Sequence, residues 1–479
     1  MALALVLVPL AFAALAAAVP SQRFRPWLLP VCATIHGALT IAALATPEVA
    51  AVSGWLRLDH LGRLVLAVVS VLFFACSLYA PGYLALRTGR SNRVFVPCLL
   101  FFLAMTTLVV ESQHLGLMWV AIEATTLASA PMLHFNHNAR SIEATWKYLL
   151  IGSVGVALAL FGTFFLAYAA LRAGLGSSLF FADLVREAPR LSRPWLHAAF
   201  VLLFVGYGTK MGLAPMHTWK PDAYGEAPGI VGTLLAGALT SCAFLALLRF
   251  FRIVAAGGEA VFARQLMIAV GLLSMAVAGV FMARQRDYKR MLAYSSVEHM
   301  GILVLGVGIG GLGVFGALLH LVNNAVTKGV LFLSAGNIHR AYGSKSVEDV
   351  RGALRRLPFS GALFIAGFFA VTGSPPFAPF LSEFTIVRAA MTSGHAWVGA
   401  LFLVMLAVVF IGMGGVVLSV VQGDTPEPAA GAQDGFRDRF ATVAPIALLM
   451  GVVVLLGVYV PGPVSRLVQN AATFVEVRP

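Results

Sequence analysis

Apolar runs long enough to cross a membrane recur along this whole 479-residue chain, and little lies between them. A helix needs about 20 apolar residues to span a hydrocarbon core about 30 Å thick. About fourteen runs qualify, near 2–19, 27–45, 61–83, 94–112, 114–134, 147–171, 196–216, 230–252, 264–283, 291–310, 314–336, 359–388, 395–421 and 441–461. The largest connections, around 172–195, 337–357 and 422–440, leave no room for a soluble domain. Only 11% of residues are charged, against roughly 25% in soluble domains, so the chain cannot cover a water-facing surface of its size. A soluble enzyme, a nucleic-acid binder and a disordered scaffold are excluded. The expected fold is an all-α polytopic membrane protein of about 14 transmembrane helices.

The excess of 33 basic over 20 acidic residues reads, in so apolar a chain, as topology-setting charge in cytoplasmic loops. Loops after odd-numbered runs hold the clusters Arg87, Arg90 and Arg93; Arg284, Arg286, Lys289 and Arg290; and Arg340, Lys345, Arg351, Arg355 and Arg356. The first run ends in a signal-like ALAAAVPS, but no positive charge precedes it and Arg23 and Arg25 follow. That order predicts an uncleaved first helix and both termini on the non-cytoplasmic side. Cys32, Cys76, Cys98 and Cys242 are scattered through apolar stretches, so neither a disulfide framework nor a metal or iron–sulfur site is expected.

Two runs are interrupted. The seventh carries Gly206, Gly208, Gly212 and Pro215 through GYGTKMGLAPMHTW, and the twelfth carries Gly373, Pro375, Pro376 and Pro379 through VTGSPPFAPFLSEF. Proline removes a backbone donor and clashes with the preceding turn; paired breaks at midplane depth mark discontinuous transporter helices. An ordinary proline kink packed by neighbours is the alternative for either break alone. The breaks lie five runs apart, and an odd offset reverses orientation. Residues 94–252 and 264–421 are therefore expected to form two inverted five-helix repeats, preceded by three helices in 1–93 and followed by a last helix and short tail in 441–479.

Charge at the bilayer centre costs about 2.5–3.5 kcal/mol on insertion scales, so intramembrane ionisable residues point to function. Glu123 sits near the middle of the fifth run, and Lys210 beside the first break. Lys328, Asn324 and His320 form one i, i+4, i+8 stripe on the eleventh run. Glu383 lies just past the second break, and Glu298 and His299 follow Ser295 and Ser296 on the tenth run. The alternative for Glu123, Lys210, Lys328 and Glu383 is a buried pairing that only fixes helix packing. Lys147 either joins the relay or merely pairs with Glu143 four residues earlier. His36 and His197 read as satisfied packing residues, and Arg249 as a side chain snorkelling from a helix end. Burial disfavours a charged lysine and a nearby carboxylate favours it, so a Glu–Lys pair whose separation changes can load and release a proton. With no Walker A motif, dinucleotide fingerprint or redox cysteine set, the driving energy must come from outside this chain.

The segments GTKMGLAPMHTWKPDAYGEAPG, DYKRMLAYSSVEHMG and HLVNNAVTKGVLFL resemble the antiporter-like subunits of respiratory complex I, membrane-bound hydrogenases and multisubunit cation/proton (Mrp) antiporters, over nearly the whole length. Lys220 and Glu298 resemble the hydrogenase-4 component F branch in particular. A tail of about 18 residues after the last run implies no long lateral arm.

The resemblance implies a proton relay in which Glu123 pairs with Lys210, Lys328 is central, His320 is a linker and Glu383 is terminal. It also implies a non-catalytic pumping subunit without cofactors of its own, in a bacterial inner (plasma) membrane. Its partners would be other membrane subunits and a peripheral redox arm, and its cargo protons, or sodium or potassium ions. One position departs from the family. Ser241 stands where the eighth helix often carries Lys or His, so a continuous path between the halves would need water or His299 as a bridge. Three alternatives stay open: an Mrp-type cation/proton antiporter, an energising subunit for inorganic-carbon uptake, and a structural scaffold.

Overall fold

With so few polar side chains, the backbone must satisfy its own hydrogen bonds, which at lipid depth leaves helices or closed barrels. The computed structural model, which describes residues 1–87, 89–176, 178–424 and 436–476, is helical almost throughout. The helices are α1 (Ala2–Ala18), α2 (Leu28–Ala45), α3 (His60–Ala85), α4 (Phe95–Glu111), α5 (Leu115–Leu133), α6 (Ala139–Arg172), α7 (Phe181–Glu187), α8 (Arg193–Met211), α9 (Trp219–Glu226) and α10 (Gly229–Thr233). They continue with α11 (Thr240–Ala256), α12 (Ala260–Met282), α13 (Tyr288–Ile309), α14 (Leu312–Tyr342), α15 (Ala353–Arg356), α16 (Pro358–Val371), α17 (Ala378–Thr392), α18 (Ala396–Val421), α19 (Phe440–Val458) and α20 (Gly462–Val475). Two antiparallel two-residue strands, Ala50–Ala51 and Leu56–Arg57, form a small surface hairpin. Most of the connection expected around 422–440 lies outside the described residues.

Among the described residues, ten helical segments are long and apolar enough to cross a membrane, and α1, α4 and α16 are shorter apolar helices. The chain is an all-α polytopic membrane protein. Burial sorts its spans. The Gly229–Ala256 segment is buried over all of its most apolar stretch, and α13 and α14 over about nine-tenths of theirs, whereas α18 and α19 are buried over only a third. Buried α10–α11, α13 and α14 therefore line the interior, and the outer helices present their sides to lipid or to other chains. Small residues let the backbones approach, as in other membrane bundles. A Cβ on Gly206 of α8 would lie 2.6 Å from the Ala159 nitrogen of α6, and one on Gly301 of α13 would lie 2.7 Å from the Gly271 carbonyl of α12. Between α10 and α11 the chain passes through a π-helical stretch, Leu234–Leu239.

Both expected breaks are present. At the first, α8 ends at Met211 and Gly212 adopts φ +81°, a left-handed cap whose N–H donates to the Gly208 carbonyl at 2.7 Å. The chain passes Pro215 and re-forms helix at Trp219. The indole of Trp219 then donates to the Thr209 carbonyl (2.8 Å), and Ala214 N–H donates to the Ser274 hydroxyl (3.0 Å). At the second, α16 ends at Val371, Gly373 adopts φ +69°, and Ser374 N–H donates to the Phe369 carbonyl (3.0 Å). Helix resumes at Ala378, past Pro375 and Pro376. Broken backbone is tolerated at this depth because its freed polar groups find partners.

One reading of charge needs correction. Arg249 does not snorkel. It is 1% exposed, pairs with Asp59 at 2.9 Å and donates to the Ser112 and Val110 carbonyls at 2.6 and 2.8 Å. Asp59 also accepts from Gly62 N–H at the start of α3, so one guanidinium on α11 ties the start of α3 to the end of α4. Two lysines of the basic loop clusters also make specific contacts. Lys289 is buried and donates to the Ala227 carbonyl (2.7 Å), while Lys345 pairs with Glu226 (2.5 Å) and Asp287 (3.3 Å). These cations staple the chain after the first break to the start of α13.

Arg249→Met strands the Asp59 carboxylate and several carbonyls. It is expected to lower stability by about 3–5 kcal/mol, seen as loss of the monodisperse peak after mild heating in detergent. Gly212→Ala forces a Cβ into a left-handed position, at about 1–2 kcal/mol, and into the Lys220 side chain. It is expected to lower the melting midpoint, whereas Gly451→Ala, which faces open space, leaves the midpoint unchanged.

Candidate functional site

The first break turns a helix end inward and carries Lys210 with it. Lys210, in the last turn of α8, is 0% exposed. Its ammonium donates to the Thr126 hydroxyl of α5, rests against Gly152 of α6, and lies 3.9 Å from the Glu123 carboxylate and 5.3 Å from the Tyr148 ring centre. Glu123 also accepts from Ser153 (3.2 Å) and is the more open partner, at 23% side-chain exposure. The Tyr148 and Ser129 hydroxyls are 2.7 Å apart at the edge of this cluster. The expected Glu123–Lys210 pair is thus formed, with hydroxyls on both sides.

The second cluster is built by α13, α14 and α17. Lys328 is 0% exposed and donates to the Ser295 hydroxyl at 2.7 Å. Glu298, one turn further along α13, is buried and within electrostatic reach of both Lys328 and Glu383. The His299 and His320 imidazoles face each other with nitrogens 2.9 Å apart, and the other nitrogen of His320 lies 3.0 Å from the Ser382 hydroxyl. Glu383, past the second break, is buried with Oε1 unpartnered among the described residues. One donor atom from each of His299, His320 and Glu383 falls within 4.8 Å of the other two. These are metal-binding residue types, but Lys328 lies within electrostatic reach of both imidazoles. A divalent ion there would sit against an ammonium, and the donor set suits proton exchange better.

The remaining expected residues fall elsewhere. Lys147 stands apart from the buried pair, half-exposed, holding Glu143 at 2.6 Å and Asp222 at 2.8 Å; Asp222 also pairs with Arg290. Asn324 is buried on the α14 stripe, but its neighbour Asn323 makes the contacts, donating to the Ala378 carbonyl (2.7 Å) and to Ser382 (3.2 Å). His36 lies against Thr107 and Ser70, and His197 pairs with Glu259 at 2.8 Å. The Ser241 hydroxyl donates to the Gly237 carbonyl at 2.6 Å. Thr126, Tyr148, Asn323 and Ser382 escaped sequence reading because hydroxyls and amides are common in membrane helices. Lys220 had a signal: a lysine directly after a break, in HTWKPDAYGEAPG. It is wholly buried.

Residues 112–410, which contain both breaks and both clusters, match the family described as NADH:quinone oxidoreductase/Mrp antiporter, transmembrane. The chain is 32% identical over 488 residues to a hydrogenase-4 component F homolog of Methylacidiphilum infernorum, covering 99% of this chain and all of the relative. It is 33% identical over 449 residues to NADH-quinone oxidoreductase subunit N of Desulforudis audaxviator, covering 88% of this chain and 86% of that one. Its fold resembles a chain of the membrane-bound sulfane sulfur reductase, an archaeal respiratory membrane complex, with TM-score 0.88 at 22% identity over 99% of this chain and 97% of that one. The matched pattern spans more than half of the sequence, and the chain belongs to the NADH:quinone oxidoreductase/Mrp antiporter transmembrane family.

Proposed function

We propose that this chain is a proton-translocating membrane subunit of a hydrogenase-4-like or complex I-like respiratory complex, driven by redox chemistry in partner subunits. The observation that carries the reading is the Glu123–Lys210 pair: a fully buried ammonium 3.9 Å from a carboxylate, on the end of a broken helix. A pair that served packing alone could be replaced by well-packed apolar side chains with no loss of stability, or a gain. A pair at a break can change its separation when the half-helices shift.

Proton movement follows from the electrostatics. With Glu123 close, the Lys210 ammonium is compensated and holds its proton. When the pair opens, the uncompensated charge in a low-dielectric interior favours release, and the hydroxyls of Thr126, Tyr148 and Ser129 can pass the proton on. Lys328 repeats the arrangement with Ser295 and Glu298, and the His299–His320–Glu383 cluster accepts the proton beyond it. Each imidazole can take a proton on one nitrogen and give it from the other. Lys147, on the same helix as Gly152, serves the outer end of the first half. Moving one charge through 100 mV takes about 2.3 kcal/mol, which this chain supplies nowhere among its own groups.

The reading extends to the whole architecture. The two breaks belong to inverted five-helix repeats, 94–252 and 264–421, within fourteen crossings, with both termini outside the cytoplasm of a bacterial plasma membrane. Other membrane subunits flank the exposed helices, and a peripheral arm holds the redox centres.

Lys210→Ala and Glu123→Gln are each expected to leave the complex assembled and its electron transfer active, while proton uptake into vesicles falls on the order of 100-fold, as for loss of a proton-transfer group. Wild-type proton yield in both variants contradicts the proposal.

A further inference from the structure

We propose that Lys220 carries protons between the two halves of the chain, supplying from α9 the titratable group that α11 lacks at Ser241. The inference rests on the proton-translocation reading above.

Lys220 is 0% exposed, and its Nζ has no hydrogen-bond partner among the described residues. Its nearest compensation is the face of Tyr224, whose ring centre lies 5.6 Å away. The methylenes of its stem press on Gly212 at the first break, two residues from Lys210. It also lies within electrostatic reach of Lys328 and His299. His217 also faces it. Helix α9 packs against α6, which carries Gly152 and Tyr148 of the first cluster, and against α13, which carries Ser295, Glu298 and His299 of the second. Lys220 is therefore a buried, unpaired amine seated between the two clusters.

The α11 hydroxyls are not groups that load and release a proton near neutral pH. Ser241 and Thr240 each donate back into their own helix, at 2.6 Å to the Gly237 and Ala236 carbonyls. A buried ammonium that only filled space would be better replaced by methionine or leucine, because an unpaired charge in the interior is unfavourable. A lysine that alternates between amine and ammonium has a reason to stay. In the neutral state its lone pair takes a proton given up on the Lys210 side, directly or through a hydroxyl or water. An N–H bond forms at Lys220 as one breaks at the donor. It then gives that proton to the Lys328 and His299 side and returns to the amine, with no change in electron count.

The test is the proton yield per electron pair of the purified membrane complex reconstituted in vesicles. Lys220→Met removes an unpaired charge and is expected to assemble with undiminished thermal stability and active electron transfer, but to lose proton yield by about tenfold or more. Lys220→His, which can still titrate, is expected to retain a substantial part of the yield. Wild-type yield in Lys220→Met, equal loss in the Met and His variants, or failure of Lys220→Met to assemble each overturns the proposal. If Lys220→Met pumps normally while Lys210→Ala does not, the inter-half role fails and the translocation reading stands. Normal pumping in Lys210→Ala as well overturns the reading itself.

Discussion

An ammonium group at lipid depth has few ways to lower its energy. It can find a counter-charge, find acceptors, or give up its proton. Lys210, Lys220 and Lys328 are all wholly buried, and each takes a different mixture of these. Lys210 has a carboxylate at 3.9 Å and a hydroxyl; Lys328 has a serine, with Glu298 within electrostatic reach; Lys220 has an aromatic face and no hydrogen-bond partner among the described residues. Lys220 lies within electrostatic reach of Lys328, so a charge on one raises the energy of the other. The surrounding fold holds them close while keeping bulk water out.

The broken helices make that possible. An unbroken α8 would point Lys210 along the bundle wall and continue past the site. Instead, Gly212 ends α8 in a left-handed cap, helix resumes at Trp219, and the stem of Lys220 packs against Gly212. The second break places Glu383 beside Gly373 and Ser382 beside His320 in the same way. Both interruptions are held by backbone and indole hydrogen bonds rather than left open. They are built parts of the fold that can support a two-position element.

The spans and breaks were legible in the sequence because their signals are local: twenty apolar residues in a row, and glycine with proline inside such a run. The buried charged residues were legible as candidates because any ionisable group in such a run is rare. Pairing was not. Arg249 read as a snorkelling side chain because its partner, Asp59, lies 190 residues away. Lys289 and Lys345 read as topology signals because nothing local shows that Ala227 and Glu226 will meet them. The burial of Lys220 depends on how the chain refolds after Gly212, which the HTWKPDAY segment does not reveal by composition. Hydroxyl and amide contacts such as those of Ser382 and Asn323 carry no sequence signal, since their partners lie on the helix opposite.

Infrared difference spectroscopy of the working complex tests the central claim most directly, that buried carboxyl and amine groups exchange protons as the complex turns over. The account predicts carboxyl-stretch changes that follow turnover and lose a separate component when Glu123, Glu298 or Glu383 is replaced by glutamine. A carboxyl region that stays silent during turnover, or a signal unaltered by all three replacements, would contradict it.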